Sequence, residues 1–527
     1  MRAPPSPPVG TRYSHTRETA LGRGGNEFMS TLEAQPQAAD RPVYTNSYKT
    51  LVLTLLVTAY TFNFIDRTII STIGQAIKVD LKITDTQLGL LGGLYFALLY
   101  TFLGIPIARF AERFNRVNII SAAIVIWSGF TALCGTATSF VMLAAYRFGV
   151  GFGEAGLNPP SHSLISDYFE PKKRASALAI YALGIPIGTM IGAVAGGWLA
   201  QNFSWRIALM LVGLPGIAIA LAIKFLIKEP PRGHSEADGG ASLAAHAPFS
   251  LGGEFREMWA IIKTLFGKWP VLHMILGVTI ASFGSYGSGQ FVPPYFSRTF
   301  GLDYAQVGLI TGIVGGISSG IGTLLGGVVT DRLALRSPRW YSLTPAIGLA
   351  IATPIYIAAY LQPSWQAAAM ILLIPGIFHY TYLGPTFGVV QNMVETRRRA
   401  TAAAIMLFFL NLIALGGGPP FTGWVIDHFA QFNFNQGAHH GTLSAIGQML
   451  GGAGGGESFA QACPGGAAPA GAPAALADRC HTSLVEATRS GVIVSLCFYL
   501  WAAFHYFLGS IGLVKALADA RKARGED

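Results

Sequence analysis

The 527-residue chain is predicted to be an all-α polytopic membrane protein, with twelve transmembrane helices arranged as two parallel six-helix repeats, on three observations. Hydrophobic residues make up 51% and charged residues only 12% of the chain, about half the charge usual in soluble domains. Mean hydropathy is +0.46, and apolar runs long enough to cross about 30 Å of hydrocarbon recur along most of the length. A helix-ending motif also returns six runs later on the same side. Together these exclude a soluble enzyme, a disordered regulator and a disulfide-stapled secreted fold. The net charge of +10 does not indicate nucleic acid, because Lys and Arg sit in short gaps between apolar runs, where they orient helices.

Residues 1–47 are expected to form a disordered cytoplasmic N-terminus. Their first 43 or so positions are rich in Pro and Gly, without the apolar core of a signal peptide, and Met29 offers a second start. The predicted spans lie near 48–77, 86–110, 117–137, 139–168, 172–200 and 204–227, then 269–298, 304–331, 338–361, 364–394, 397–429 and 486–515. A six-helix bundle over 48–228 is thus followed by a linker, 229–268, and a second bundle over 269–515, with 516–527 as a cytoplasmic tail. In the linker, EFREMWAIIKTLF sets Phe255, Met258, Trp259 and Ile262 on one face, a pattern expected of a helix lying along the membrane surface.

Alternate gaps carry the basic residues: Arg109, Arg113 and Arg116; Lys172, Lys173 and Arg174; Lys228 and Arg232; Arg332, Arg336 and Arg339; Arg397, Arg398 and Arg399; and the tail. By the positive-inside rule those gaps are cytoplasmic, as are both termini. The opposite side holds the Gly-, Ala- and Pro-rich loop 430–485, expected to be a mobile lid or plain linker. Cys463 and Cys480 bracket its tip, and in an oxidising compartment a disulfide is expected there.

The second run ends GIPIARFAERFNR and the eighth GGVVTDRLALR, each with a small residue four before an acid-Arg pair, Ala108 before Glu112-Arg113 and Gly327 before Asp331-Arg332. That repeat suggests parallel halves with binding at their interface near the midplane. Glu112, Arg113, Asp331 and Arg332 are therefore gate candidates, the acids facing helix N-termini of the opposite half when the inside is closed.

With NFIDRTII, RFAERFNRVN, YRFGVGFGEAG, SDYFEPKKRA and EPPRG in view, residues 48–233 resemble the spinster-type branch of the major facilitator superfamily. The second half resembles the wider superfamily through GGVVTDR and its helix pattern. Asn115 fits the spinster variant of the loop; Glu112 stands for the usual Asp and Val117 for a usual Lys. The resemblance implies the major facilitator fold and, since eukaryotic spinster proteins export sphingosine-1-phosphate or move lysophospholipids, an amphipathic substrate.

Two constellations point to chemistry. Arg147 and Glu154 are two turns apart on the fourth helix, and a charge near midspan costs about 2.5–3.5 kcal/mol on insertion scales, so such groups face cavities and have partners. Arg147 with Gly151 and Gly153 also resembles the superfamily motif associated with proton coupling. Asp66 and Arg67 sit in the first helix; as neighbours about 100° apart, they point in different directions. The resemblance makes Asp66 a second protonation candidate and Arg67 its partner or a headgroup contact. Asn63, His162 and His379 are cavity-lining candidates, and structural glue is the plain alternative for each. The Gly184, Gly188, Gly192, Gly196 and Gly197 stripe fits close packing, and GAVAGG resembles an antiporter element with Ala193 in place of Pro.

The expectation is a proton-coupled secondary transporter of an amphipathic, anionic, lipid-like solute. It is expected to sit in the cell (inner) membrane as a monomer among membrane lipids, without metal, cofactor or nucleic acid. Alternatives are an antiporter for a small organic anion or drug, a lipid-modifying enzyme, for which no nucleophile or metal motif is found, and a non-transporting sensor.

Overall fold

The computed structural model describes residues 44–235, 251–395, 398–436 and 457–523, so the expectations for 1–43, for 236–250 of the linker and for 437–456 of the 430–485 loop lie outside the described residues, whereas 457–485, expected to be a mobile lid or plain linker, holds two short helical turns and the start of the twelfth span. Among the described residues, regular structure is helical throughout. Eleven helical paths are long and apolar enough to cross a membrane. The expected fourth crossing is made in two pieces, Phe140–Glu154 and Asn158–Tyr168. Pro159 and Pro160 open the second piece, where missing backbone N–H groups start a helix but cannot continue one. The break falls immediately after Glu154.

The first span, Asn46–Thr72, is followed by a separate short helix, Gly74–Leu81. The predicted 48–77 run therefore merges two elements. The twelfth span is Ala474–Ser510, entering about three turns before the predicted start and leaving before a separate helix, Leu513–Ala523. Apolar count alone missed its polar first turns.

The linker helix, Leu251–Phe266, packs on the second half. Ile261 and Leu265 are buried, Phe266 meets the Phe409 ring at 5.3 Å, and Glu257 pairs with Arg398 at 3.3 Å, while Trp259 stays exposed. Met258 and Ile262, two of the residues assigned to the membrane surface, pack on the protein core as well.

Between the halves, the fifth span's Gly184–Asn202 stretch runs beside the eighth, Tyr304–Ala334, and the second span, Asp85–Arg113, beside the eleventh, Thr401–Gln436. The eighth span records their divergence. A Cβ built on Gly308 would strike the Ala193 carbonyl; on Gly312 it would stand 3.0 Å from the Met190 oxygen, on Gly316 3.2 Å from the Met190 side chain, and on Gly320 it would meet nothing within 4 Å. Gly89 and Gly93 of the second span likewise press on Pro419 and Leu415, whereas a Cβ on Gly104 would find open space. The halves close at the end that bears the 430–485 loop and part toward the end that bears the linker.

Candidate functional site

Four charged side chains of the first bundle converge beside the break in the fourth span. Arg67 Nε donates to Glu154 Oε2 at 2.7 Å, and Arg147 Nη1 lies 3.7 Å from Asp66 Oδ1. Arg147 does not pair with Glu154. Seven residues correspond to about 10 Å of helix rise, so each side chain finds its partner on the first span. Asp66 and Arg67 diverge as neighbouring helix positions must: Asp66 accepts a hydrogen bond from Thr131 of the third span, and Arg67 turns toward the second, its guanidinium 4.8 Å from the Phe96 ring centre and 4.5 Å from that of Tyr100. Arg147 also donates to the Leu91 carbonyl at 3.2 Å and lies over Phe96 at 5.2 Å. Phe96 is therefore shared by both cations.

Exposure separates the members. The Arg67 side chain is 18% exposed, against 3% for Asp66, 2% for Arg147 and 0% for Glu154. Hydrogen bonding is incomplete: Glu154 Oε1, Asp66 Oδ1, Arg67 Nη2, Arg147 Nη1 and both side-chain polar atoms of Asn63 lack a hydrogen-bond partner. Unmet polar capacity in a low-dielectric setting is costly, and it leaves room for a proton, water or substrate oxygen to improve the site. Asn63 shares the face of Asp66 and Arg67 at i+3 and i+4. Gly151 and Gly153 bring the fourth span onto Phe96 of the second and Trp127 of the third, which fixes the convergence.

His162 and His379 are not brought into this cluster by hydrogen bonds. His162 is exposed and meets the Tyr181 ring edge-on at 5.5 Å. His379, buried in the other half, faces Tyr356 at 3.3 Å and packs against Tyr380, Tyr382 and Tyr499. The fifth-span glycines lie against Tyr60, Thr61, Phe64, Ile65 and Ile69 of the first, with Gly197 touching Tyr304.

The four gate candidates Glu112, Arg113, Asp331 and Arg332 are exposed at the linker end, where Glu112 pairs with Arg109 of its own helix at 3.1 Å. Nearby, buried Arg116 joins Asp167 to Glu229 (2.6 Å) and the Pro230 carbonyl (3.0 Å), and Arg232 donates to the Ala111 and Phe114 carbonyls at 2.6 and 2.9 Å. RFAERFNRVN, SDYFEPKKRA and EPPRG thus form one knot that caps the C-terminus of the second span.

A second charged cluster, missed by the sequence reading, closes the opposite end. Asp85 at the start of the second span pairs with Lys78 and with Arg298 of the seventh (2.6 Å), and Arg298 also reaches Gln75 at 2.7 Å and Thr488 of the twelfth at 2.8 Å. Asp427 of the eleventh span accepts from the Asp85 and Thr86 backbone N–H groups at 2.9 and 2.8 Å and from the Thr86 hydroxyl at 2.6 Å. A carboxylate from one half thus caps a helix N-terminus of the other, where dipole and unpaired N–H groups favour an anion. Burial lowers the Lys78 ammonium pKa from the ordinary lysine value, with Asp85 pulling the other way. Charges at the tips of predicted spans, Arg298 and Asp427, were the available signal.

Among the described residues no group of three or more His, Cys, Asp or Glu is placed to hold a metal.

The pattern of the Major Facilitator Superfamily matches residues 56–432. A bacterial homologue of the human lysosomal transporter spinster, solved in an inward-facing, unoccupied conformation, superposes with a TM-score of 0.75 at 31% identity, covering 90% of this chain and 99% of that one. An MFS-type efflux pump of Mycolicibacterium smegmatis is 28% identical over 70% of this chain and 82% of its own length. Protein spinster homolog 3 of Danio rerio is 26% identical over 70% and 75%.

Proposed function

Since this multi-pass membrane protein belongs to the major facilitator superfamily, in its spinster-type branch, and is therefore a transporter, we propose that it moves an amphipathic anionic solute of lysophospholipid or sphingosine-phosphate type in exchange with, or together with, protons. The observation that carries the reading is the Arg67–Glu154 pair, in which the more exposed partner is the cation. A phosphate or carboxylate entering the cleft competes with Glu154 for Arg67, because a planar guanidinium binds either oxyanion. A carboxylate that loses its counterion while fully buried takes a proton rather than remain bare. Substrate and proton are thereby coupled through one arginine, with Asp66 and Arg147 holding the neighbouring charge balanced. Half-buried Phe64 and Tyr100, both against Arg67, suit the apolar part of the solute.

Alternating access follows from the same frame. Placing the Lys- and Arg-rich linker end in the cytoplasm makes this an inward-open state in an inner membrane, with both termini inside. The exposed Glu112, Arg113, Asp331 and Arg332 then form the inner gate only after the halves rock together. Asn63, one turn before Asp66 and Arg67 and buried behind the cleft wall, adjusts their polarity, and the buried His379 packs among tyrosines; of these three residues only the exposed His162 is placed to meet a solute. A second reading, a small organic anion or drug as solute, draws on the efflux-pump relative and uses the same arginine.

Calorimetric titration of the purified protein with lysophosphatidate, in two buffers of different ionisation enthalpy, tests the coupling. Proton uptake on binding is expected, abolished in Glu154→Gln with binding retained. Lysophosphatidate binding with no buffer dependence in the wild type would reject it. A small sugar acid or anionic dye that binds where lysolipids do not would favour the second reading.

A further inference from the structure

The second half carries a short stapled segment at the loop end. Phe459–Ala462 and Pro464–Gly466 are its two helical turns, and Cys463 is joined to Cys480 of the twelfth span by a disulfide with a Cα–Cα distance of 5.8 Å. Its start is tied to the eleventh span: Phe459 N–H donates to Gln431 at 2.8 Å, and Gln431 donates to the Glu457 carbonyl at 2.8 Å. Cys463 and Cys480 are both buried.

The far side of this strap also rests on the first half. Gly465 and Gly466, at φ of 71° and 90°, lie against the short helix after the first span. A Cβ on Gly465 would stand 3.1 Å from the Lys78 carbonyl oxygen and 3.3 Å from Val79, and one on Gly466 would strike Leu484 of the twelfth span at 2.6 Å and stand 3.3 Å from Lys78 Cε. Positive φ favours glycine at both positions, and the close approach leaves little room for a side chain. Lys78 is thus covered by the strap on one side and paired with Asp85 on the other, and Asp85 leads through Arg298 back to Thr488 on the twelfth span, two turns beyond Cys480. The path from Cys480 through the disulfide, Gly466, Lys78, Asp85 and Arg298 to Thr488 is a closed ring that crosses between the halves twice.

From this ring we infer that the disulfide-stapled strap is a latch on the outer gate, holding Lys78 in the Asp85–Arg298–Asp427 cluster and setting how readily the loop end opens. Separating the halves there breaks the strap contact and the charge cluster together, since both cross the same seam. A strap fixed at Cys480 meets Lys78 as a rigid surface; without the disulfide it is held by the Gln431 contacts and detaches at lower cost. The inference rests on alternating access and not on the solute or the proton. Failure of the Glu154 titration would leave it standing.

Hydrogen exchange on the full chain in nanodiscs reads the latch directly, because the Asp85 and Thr86 amides are held across the seam by Asp427. In a Cys463→Ser/Cys480→Ser double variant their exchange is expected to rise about tenfold, while segments 104–113 and 320–334 at the linker end become more protected as the equilibrium moves outward-open. Gly465→Ala, with the disulfide intact, puts a methyl group against Lys78 and Val79 alone, lifts the strap from the first half and should reproduce both changes. Faster exchange confined to 457–473 in both variants, with Asp85, Thr86 and the linker end unchanged, would overturn the latch and leave the disulfide a local staple.

Discussion

Arg67 and Glu154, 87 positions apart, meet at 2.7 Å in the wall of the cleft, and Arg147, two turns before Glu154 on the same helix, turns instead to Asp66 at 3.7 Å. This crossed pairing ties the first and fourth spans together by two ionic contacts of different exposure. The inner contact stays buried, and the outer one offers its cation to the cleft.

Replacing Arg67 with Lys keeps the charge but removes the planar contact with Phe96 and Tyr100 and the two-point grip on an oxyanion. Loss of about 1–2 kcal/mol of binding is expected, a rise of about tenfold in the Kd for an anionic lysolipid. Titration of the variant against lysophosphatidate checks this, with a neutral lysolipid expected to change little.

Asp66→Asn leaves Arg147 buried without a counter-charge. Breaking one side of a buried pair typically destabilises by about 3–5 kcal/mol, whereas removing both charges costs far less. The single variant should therefore unfold at a clearly lower temperature than the wild type, and Asp66→Asn/Arg147→Met should recover most of the loss. Thermal unfolding in detergent across the double-mutant cycle measures the difference.

At the loop end, Asp427→Asn weakens the cap on the Asp85 and Thr86 N–H groups. Hydrogen bonds to a charged group contribute about 1.5–3 kcal/mol each, so the closed loop end should lose a substantial part of its preference. Double electron–electron resonance between labels at the outer ends of the fifth and eighth spans is expected to show a larger outward-open population. Glu112→Ala should act oppositely, favouring inward-open, because the inner gate it would build never forms.

Much of this architecture was legible in the chain. Apolar runs, alternating basic gaps and the repeated acid-Arg helix end led to the spans and the halves, and charges in apolar runs marked Asp66, Arg67, Arg147 and Glu154. Who pairs with whom was not legible, because helix periodicity fixes the face a side chain leaves from and not the helix it meets. The break after Glu154 was written in Asn158-Pro159-Pro160 but hidden by an apolar average over the whole run. The outer cluster escaped because Lys78 and Asp85 sit in a charge-balanced gap between spans and Arg298 and Asp427 lie near the ends of two others, far away in sequence. Only the packing of spans seven and eleven on the second, and of twelve on seven, brings them together.

The central claim is that Glu154 takes up the proton when a solute anion draws Arg67 away. Flux of labelled lysolipid in proteoliposomes, with and without an imposed pH gradient, tests it most directly in Glu154→Gln against wild type. The account predicts wild-type flux that follows the gradient and Glu154→Gln flux that persists as exchange but no longer responds to it. Full gradient-driven accumulation by Glu154→Gln would contradict the account and return the Arg67–Glu154 pair to a purely structural role.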